Sequence, residues 1–562
     1  MDLRHPFLTE QLIAYIGNKR ALLPFLHGVL CQLAPEPSRA AFLDPFSGSG
    51  AVSRLARLMG FAVAANDLEH YSYVINSCHL GVSKTDLDVL FEEKGGLGRV
   101  LAELNNLTPL GEEKAYVSRH YAPRSTERAD WRTERLFYTR ENARVIDAVR
   151  ERIEEKYPGT PEDEPAFRRK TVLLAPLLYE AATHTNTSGV FKACHRGFGG
   201  HGRDALKRIM AAIVLRPPVL VDAPAPSTVA CMDAGEFLSG RCADICYLDP
   251  PYAVHQYGSN YFMLNSIALW DKPPVSEARG PDGRLRSKAG IRADWTRTRS
   301  EFCSPSTAFE GMRRIVQAAD CRWLVVSYSD EGLIGLEELC ELLAGTGSLS
   351  ISSTGYVKYP GGKQSLGRTT RNQELVLVVD RRARAHGQPP HGTRPVGDLL
   401  RDVRIARLIG QAFDPARIRG TFAVQGDAIV LEPCPGKTAL LPMRHCWKFG
   451  AGVVPPLFAT AAAAEQFVAD LGACLLRDVR EEIDVLIEIT RKAKEGRERG
   501  KLLQEILRLT TKLAHRKYAD ICAEALECLR VFASGDPALT GFRAGLDKIA
   551  LTAAKRRAVK ET

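Results

Sequence analysis

Apolar residues fall in short, unbroken runs through two separated stretches of the chain. Ala40-Ala-Phe-Leu43 ends in Asp44, and Phe61-Ala-Val-Ala-Ala65 is followed by Asn66 and Asp67. Ile245-Cys-Tyr-Leu248 leads into Asp249, and Trp323-Leu-Val-Val-Ser327 and Glu374-Leu-Val-Leu-Val-Val379 complete the set. Runs of four to six residues without alternation, separated by helix-compatible stretches, predict strands covered on both faces. The expected fold is α/β, with a parallel, doubly covered sheet. Ligands of such sheets sit beyond the carboxyl ends of the strands. Three of the five runs reach an aspartate there, so a row of acids is expected at the ligand face.

The same pattern divides the chain. Residues 1–80 and 231–381 carry the strand–helix alternation and are expected to form one catalytic domain. Residues 81–230, mostly helix-compatible with a polar, Gly-rich stretch, read as an insertion. Residues 382–395 have the Pro, Gly and Arg content of a linker. Residues 396–562 then read as an appended, largely helical domain, with long helix-compatible runs from Ala461 to Val531.

Composition narrows the class. A chain of 562 residues, 45% apolar and 25% charged, belongs with globular proteins of several domains. No apolar run reaches the roughly 18–20 residues of a membrane helix; the best, Leu457 to Leu476, is broken by Glu465, Gln466 and Asp470. Asp2 and Arg4 open the chain without an apolar stretch before Glu10, so no secretory signal is expected and the compartment reads as cytoplasmic. The 14 cysteines form no C-x-x-C pair; the nearest approach is Cys242 with Cys246. Reduced thiols are expected, and no metal site. Lys and Arg exceed Asp and Glu by 76 to 66, which permits a polyanionic partner without establishing one.

Two motifs carry chemistry. Asp44-Pro-Phe-Ser-Gly-Ser-Gly50 lies between a predicted strand and the helix-compatible Ala51 to Met59, where Gly48 and Gly50 allow a tight turn and close approach to a ligand. It lacks both the spacing of a phosphate-binding P-loop and the full dinucleotide fingerprint. Asp67 closes the next strand, where an acid accepts hydrogen bonds from ribose hydroxyls. A ribose acid without a phosphate cradle favours an adenosyl group free of phosphates, and S-adenosylmethionine fits. Asp249-Pro-Pro-Tyr252 follows the strand Ile245 to Leu248. Its prolines cannot join a regular ladder, so it offers the Asp249 carboxylate, the Pro250 carbonyl and the Tyr252 ring to a planar amine.

Tyr15-Ile-Gly-Asn-Lys19, the Gly turn, Asp67 and Asp249-Pro-Pro-Tyr252 occur in the order seen in adenine-specific DNA methyltransferases, and the chain resembles that family over about residues 8–380. The matching subgroup, Dam-like and of the alpha arrangement, places its target-recognition region between the cofactor and catalytic motifs. Gln256-Tyr-Gly-Ser-Asn-Tyr261 also resembles the stretch that follows its catalytic motif. The family more often has Trp where Tyr15 stands, a change that keeps an aromatic ring. The resemblance implies a Rossmann-like S-adenosylmethionine-dependent sheet. Tyr15 and Lys19 would line the cofactor pocket, Asp44, Gly48 and Gly50 would contact the methionine end, Asp67 the ribose and Asp233 the adenine edge. Asp249, Pro250 and Tyr252 would hold the target adenine. Bonds from the amino group to Asp249 and the Pro250 carbonyl would localise its lone pair for in-line attack on the sulfonium methyl. The base would be flipped from the duplex onto Tyr252.

Residues 183–203 mix amide, hydroxyl and basic side chains with Gly and two Phe, the contents of a loop that tracks a nucleic-acid backbone and reads base edges. Asn186, Ser188, Lys192, His195, Arg196 and Arg203 are its candidate contacts with double-stranded DNA. Pro274 to Ser300 holds seven Lys/Arg against three acids, the content of either a phosphate clamp or a disordered insert. Residues 491–517 hold ten Lys/Arg against three acids, which reads first as a solvated helical face. Two alternatives stand beside a DNA adenine methyltransferase of a restriction-modification or phage-defence setting. The same chemistry serves RNA and protein-glutamine methyltransferases, and the appended domain suits a modification subunit that works with a protein partner.

Overall fold

The computed structural model describes the chain except positions 112, 201–204, 330, 358–370, 383–395, 410, 419–421, 426–427, 435–436, 446–447, 450–457, 494–495, 516–517 and 559–562. The expected linker and Arg203 therefore lie largely or wholly outside the described residues. The chain forms two compact units: Met1–Thr354 with Glu374–Val396, and Gly355–Gln373 with Gly397–Thr562.

The first unit holds β1 (Ala41–Asp44), β2 (Ala62–Asn66), β3 (Ser227–Ala230), β4 (Cys242–Leu248) and β5 (Asp320–Ser329), with β6 (Ser348–Val357) as far as Thr354 and β7 (Arg371–Asp380) from Glu374. They make one seven-stranded sheet in the order β3-β2-β1-β4-β5-β7-β6. β1 runs parallel to β2, with Ala41 opposite Ala62, and parallel to β4, with Phe42 opposite Ile245. The order therefore reverses at β1, which opens a crevice over the carboxyl ends of β1 and β4. The five strands expected from the apolar runs are all present, within a few residues.

Three expectations change. The sheet is mixed rather than parallel: β7 runs antiparallel to β5, with Ser329 opposite Glu374. β3 lies inside the stretch 81–230 and pairs with β2, Val63 opposite Ser227. That stretch also shares its core with the rest of the unit. The helices His70–Gly81, Arg140–Lys156, Glu164–Thr183 and Phe262–Leu269 bury Ile75, Ile146, Leu173, Leu177, Phe262 and Ile267 in one continuous cluster.

In the second unit, β8 (Phe422–Gln425), β9 (Ala428–Cys434), β10 (Lys437–His445) and β11 (Lys448–Phe449) form a meander in the order β11-β10-β9-β8. This sheet is an addition to the largely helical expectation. The helices Val479–Lys492, Arg497–Leu513, Ala519–Ala533 and Thr540–Ala558 bury a separate core. In Arg497–Leu513 the buried positions Leu502, Ile506, Leu509 and Leu513 recur at helical spacing. Its basic residues fall on other faces, where Arg508 pairs with Glu505 and Arg499 with Asp536. Among the described residues no helix is long and apolar enough to cross a membrane, no cluster of metal-ligating side chains occurs, and twelve cysteines are free thiols.

Candidate active site

The Gly turn after β1 is held open by its own backbone. Gly48 and Gly50 have φ of +50° and +78°, the region that only glycine enters without strain. A Cβ on Gly48 would meet the Tyr15 ring at 2.9 Å, and one on Gly50 would meet the buried Asn76 Oδ1 at 2.3 Å. The turn is clamped from the next strand. The Gly48 N–H donates to Asp67 Oδ2 at 2.7 Å, and the Glu69 N–H donates to Asp67 Oδ1 at 2.9 Å. Asp44 is anchored in turn by the Ser53 hydroxyl at 2.5 Å and the Phe46 N–H at 3.3 Å. Burial pushes its carboxyl up to about 7, against the pull of the Ser53 bond.

A cleft of about 270 Å³ opens at this turn. Tyr15, Lys19, Asp44, Gly48, Asp67, Asp233, Asp249, Pro250 and Tyr252 all line it. Gly50 does not; it turns the chain into the helix Ala51–Met59. Tyr15 is fixed by stacking on Tyr261, ring centres 5.0 Å apart, and its neighbour Ile16 is pinned by the hydroxyls of Tyr257 and Tyr261 at 2.9 and 2.8 Å. The segment after the catalytic motif thus positions the segment that carries Lys19. Asp233 is exposed at the rim and caps the helix Ala234–Leu238, its Oδ1 accepting the Gly235 N–H.

Lys19 is 3% exposed and sits among three groups. Its Nζ lies 3.0 Å from Asp249 Oδ1, 3.4 Å from Glu374 Oε1 and 3.5 Å from the Tyr252 hydroxyl. Burial works against the ammonium charge, but Asp249, Tyr252 and Glu374 outweigh it and hold its pKa above the ordinary lysine value. Asp249 is pushed up to about 6, chiefly by burial, with Lys19 pulling it down. It is therefore ionised at neutral pH and able to accept an N–H. Pro250 is buried beside it, and the Tyr252 ring packs edge-on against Tyr328 at 5.7 Å.

Some wall residues were not anticipated from sequence. Glu69, two positions beyond Asp67, is 3% exposed, accepts the Asn265 amide at 2.5 Å and is pushed up to about 7 by burial. Phe46, Arg299, Phe302 and Arg314 also line the cleft. The last three come from Pro274–Ser300 and its continuation. That stretch is a packed strap: Arg135 donates to the Ser276 and Ser287 carbonyls, and the buried Arg292 pairs with Asp271 and Asp294.

The loop of candidate DNA contacts divides sharply. Asn186 is fully buried; its amide donates to the Leu136 carbonyl at 2.9 Å and its Oδ1 accepts the Gly199 N–H at 3.2 Å. It braces the loop and, so placed, is not on the surface with the other candidate contacts. Thr187 bridges Cys194, and Phe191 plugs the tip into the core against Phe137 and Phe262. Ser188, Lys192 and Arg196 are exposed, and His195 is half-buried. Arg196 lies over the Trp131 ring at 4.6 Å, on the same platform that Arg132 covers at 5.0 Å.

A sheet in this order, with a glycine turn, a strand-end acid and a Pro-Pro-Tyr cluster at one cleft, defines a Rossmann-like methyltransferase that acts on an amino group. Residues 15–288 match the D12 class N6 adenine-specific DNA methyltransferase family. Type II methyltransferase M.NlaIII of Neisseria lactamica is 30% identical over 350 residues, 62% of this chain and 93% of that protein. Type II methyltransferase M.CviAII of Paramecium bursaria Chlorella virus 1 is 28% identical over 369 residues, 66% of this chain and 99% of that protein. Modification methylase LlaI of Lactococcus lactis subsp. lactis is 26% identical over 403 residues, 70% of this chain and 59% of that protein. The chain belongs to the D12 class N6 adenine-specific DNA methyltransferase family. The family's substrate is DNA, and its reaction draws on a methyl donor.

Proposed function

We propose that the chain is a restriction-modification methyltransferase of the Dam-like alpha arrangement, taking its methyl group from S-adenosylmethionine and acting on an adenine flipped out of double-stranded DNA. One observation carries the choice of donor. The cleft is lined by Asp44, Asp67, Glu69, Asp233, Asp249 and Glu301 against Lys19, Arg299 and Arg314. A surplus of acids suits a cation and repels phosphates. The bound donor would supply a methyl group on a sulfonium, an electrophile that needs no metal. Gly48 and Asp44 border the place for its amino-acid end, Asp67 for its ribose and Asp233 for its base edge.

The chain's own groups then handle the target. Lys19 meets Asp249 at Oδ1, so Oδ2 is left to accept one amino hydrogen of adenine and the Pro250 carbonyl the other. Both bonds draw the nitrogen lone pair out of conjugation, and Tyr252 supplies a stacking face. Positioning supplies most of the rate. Ser188, Lys192, His195 and Arg196 are the described candidates for the duplex, with Arg286 and Lys288 exposed on the strap. The relatives named Type II methyltransferases favour the restriction-modification setting. The test is transfer from methyl-labelled S-adenosylmethionine to unmodified duplex DNA, followed by digestion to nucleosides. Label in N6-methyladenine, lost with Asp249→Ala, is the expected result. Binding of the donor without label in DNA would overturn the reading.

A further inference from the structure

Glu374 opens the apolar run of β7. Because β7 runs against its neighbour, its first half lies where the parallel strands end, and Glu374 is registered opposite Ser329. The residue is 4% exposed. Its Oε1 accepts the Tyr252 hydroxyl at 3.0 Å and stands 3.4 Å from Lys19 Nζ. Its Oε2 is buried without a partner among the described residues. A buried carboxylate carries a desolvation cost that a neutral side chain of the same shape does not, so packing alone does not account for it.

We propose that Glu374 is a positioning residue for methyl transfer, holding the Tyr252 hydroxyl and the Lys19 ammonium so that the stacking ring and the cation beside Asp249 keep one geometry when the base arrives. This rests on the assignment of Asp249 and Tyr252 to the target adenine. The geometry is a four-membered cluster in which one ammonium serves two carboxylates. The charged and titratable groups around it are Lys19 from the N-terminal segment, Asp44 at the end of β1, Tyr247, Asp249 and Tyr252 from β4 and the turn after it, Tyr257 from the segment that follows, and Tyr328 of β5. With Lys19 shared, the pair of carboxylates keeps a net negative charge. That charge favours the positive charge arriving on the adenine nitrogen as the methyl group bonds to it and the sulfur leaves neutral.

The experiment compares kcat, KM and pH–rate profiles of the full chain with Glu374→Gln, Glu374→Asp and Tyr252→Phe. Glu374→Gln keeps the shape and removes the charge. Its kcat should fall roughly 10- to 100-fold, as for loss of hydrogen bonds to a charged group. Donor binding by calorimetry should stay within about threefold of the parent. The acid limb of its profile should move to lower pH, because the neighbouring negative charge that opposes ionisation of Asp249 is gone. Glu374→Asp keeps the charge but cannot span to the Tyr252 hydroxyl, so kcat should fall with the limb in place. In a Tyr252→Phe background Glu374→Gln should cost less than in the parent. Parental kcat and an unmoved limb in Glu374→Gln would overturn the proposal, as would an equal loss in all Glu374 variants with no movement of the limb. Asp249→Ala run alongside separates the two readings. An active Asp249→Ala sinks the target assignment itself, whereas a dead Asp249→Ala with a normal Glu374→Gln removes only the role of Glu374.

Discussion

The cleft and the loop of residues 183–200 are both rich in polar side chains, yet they use them oppositely. In the cleft the innermost polar groups, Lys19, Asp44, Asp67 and Glu69, are buried, and the site's segments are wired to one another: Lys19 to Asp249 and Glu374, Gly48 to Asp67, Ile16 to Tyr257 and Tyr261. In the loop the buried Asn186 amide satisfies backbone groups, that of Gly199 within the loop and that of Leu136 from another segment, and Ser188, Lys192 and Arg196 stand in solvent. The difference teaches that a polar motif at a strand end marks a site, whereas a polar loop must be sorted by burial before any residue of it is given a role. A buried amide that bonds backbone sets shape; an exposed guanidinium on an aromatic platform is free to meet a phosphate.

That contrast can be broken by substitution. The largest effect belongs to Asp249→Ala, which should lower methyl transfer at least about 100-fold while donor binding is kept, measured by label incorporation and calorimetry. Next comes pH. Since the Asp249 carboxyl is pushed up to about 6 by burial, it is charged above that value and protonated below it. Its acceptor role is present at pH 7 and lost as pH falls through 6, so kcat/KM should drop by about tenfold per unit on the acid side. Asn186→Ala should destabilise the first unit by about 1–3 kcal/mol in thermal unfolding, because it leaves buried backbone groups unpaired. It should leave the methylated sequence unchanged. The smallest effect is that of Arg196→Ala, whose DNA affinity should fall only a few-fold while the slope of log affinity against log salt becomes shallower by about one. If Asn186→Ala instead relaxed the recognition sequence while Arg196→Ala did nothing, the division of the loop into braces and contacts would be reversed.

What could be read from sequence follows the same line. The strands with unbroken apolar runs were legible because burial on both faces demands them, and the Gly turn and Pro-Pro-Tyr cluster because each needs residue types that few other structures use. β3 was missed since Ser227-Thr-Val-Ala230 is short and only partly buried at the sheet edge, and β6 since Ser348-Leu-Ser-Ile-Ser352 opens with a serine at every second position. The direction of β7 was not legible, because an apolar run carries no sign of which way it points. That one ambiguity hid Glu374, although an acid opening a run of five apolar residues was a visible irregularity. The antiparallel pair β8 and β9 did carry a signal, Gln425-Gly-Asp-Ala428 between two apolar stretches, which the helical reading drawn from Ala461 to Val531 passed over.

The reversed strand also bears on how the enzyme comes to be made. Lys19 and Glu374 are 355 positions apart in the chain, and Lys19 meets Asp249 much earlier in synthesis than it meets Glu374. Insertion of β7 between β5 and β6 is a long-range pairing and hence a late step. The cluster of one cation and two anions is therefore completed only by the pairing of β7 with β5, so its charge balance depends on a contact between the two ends of the unit's chain.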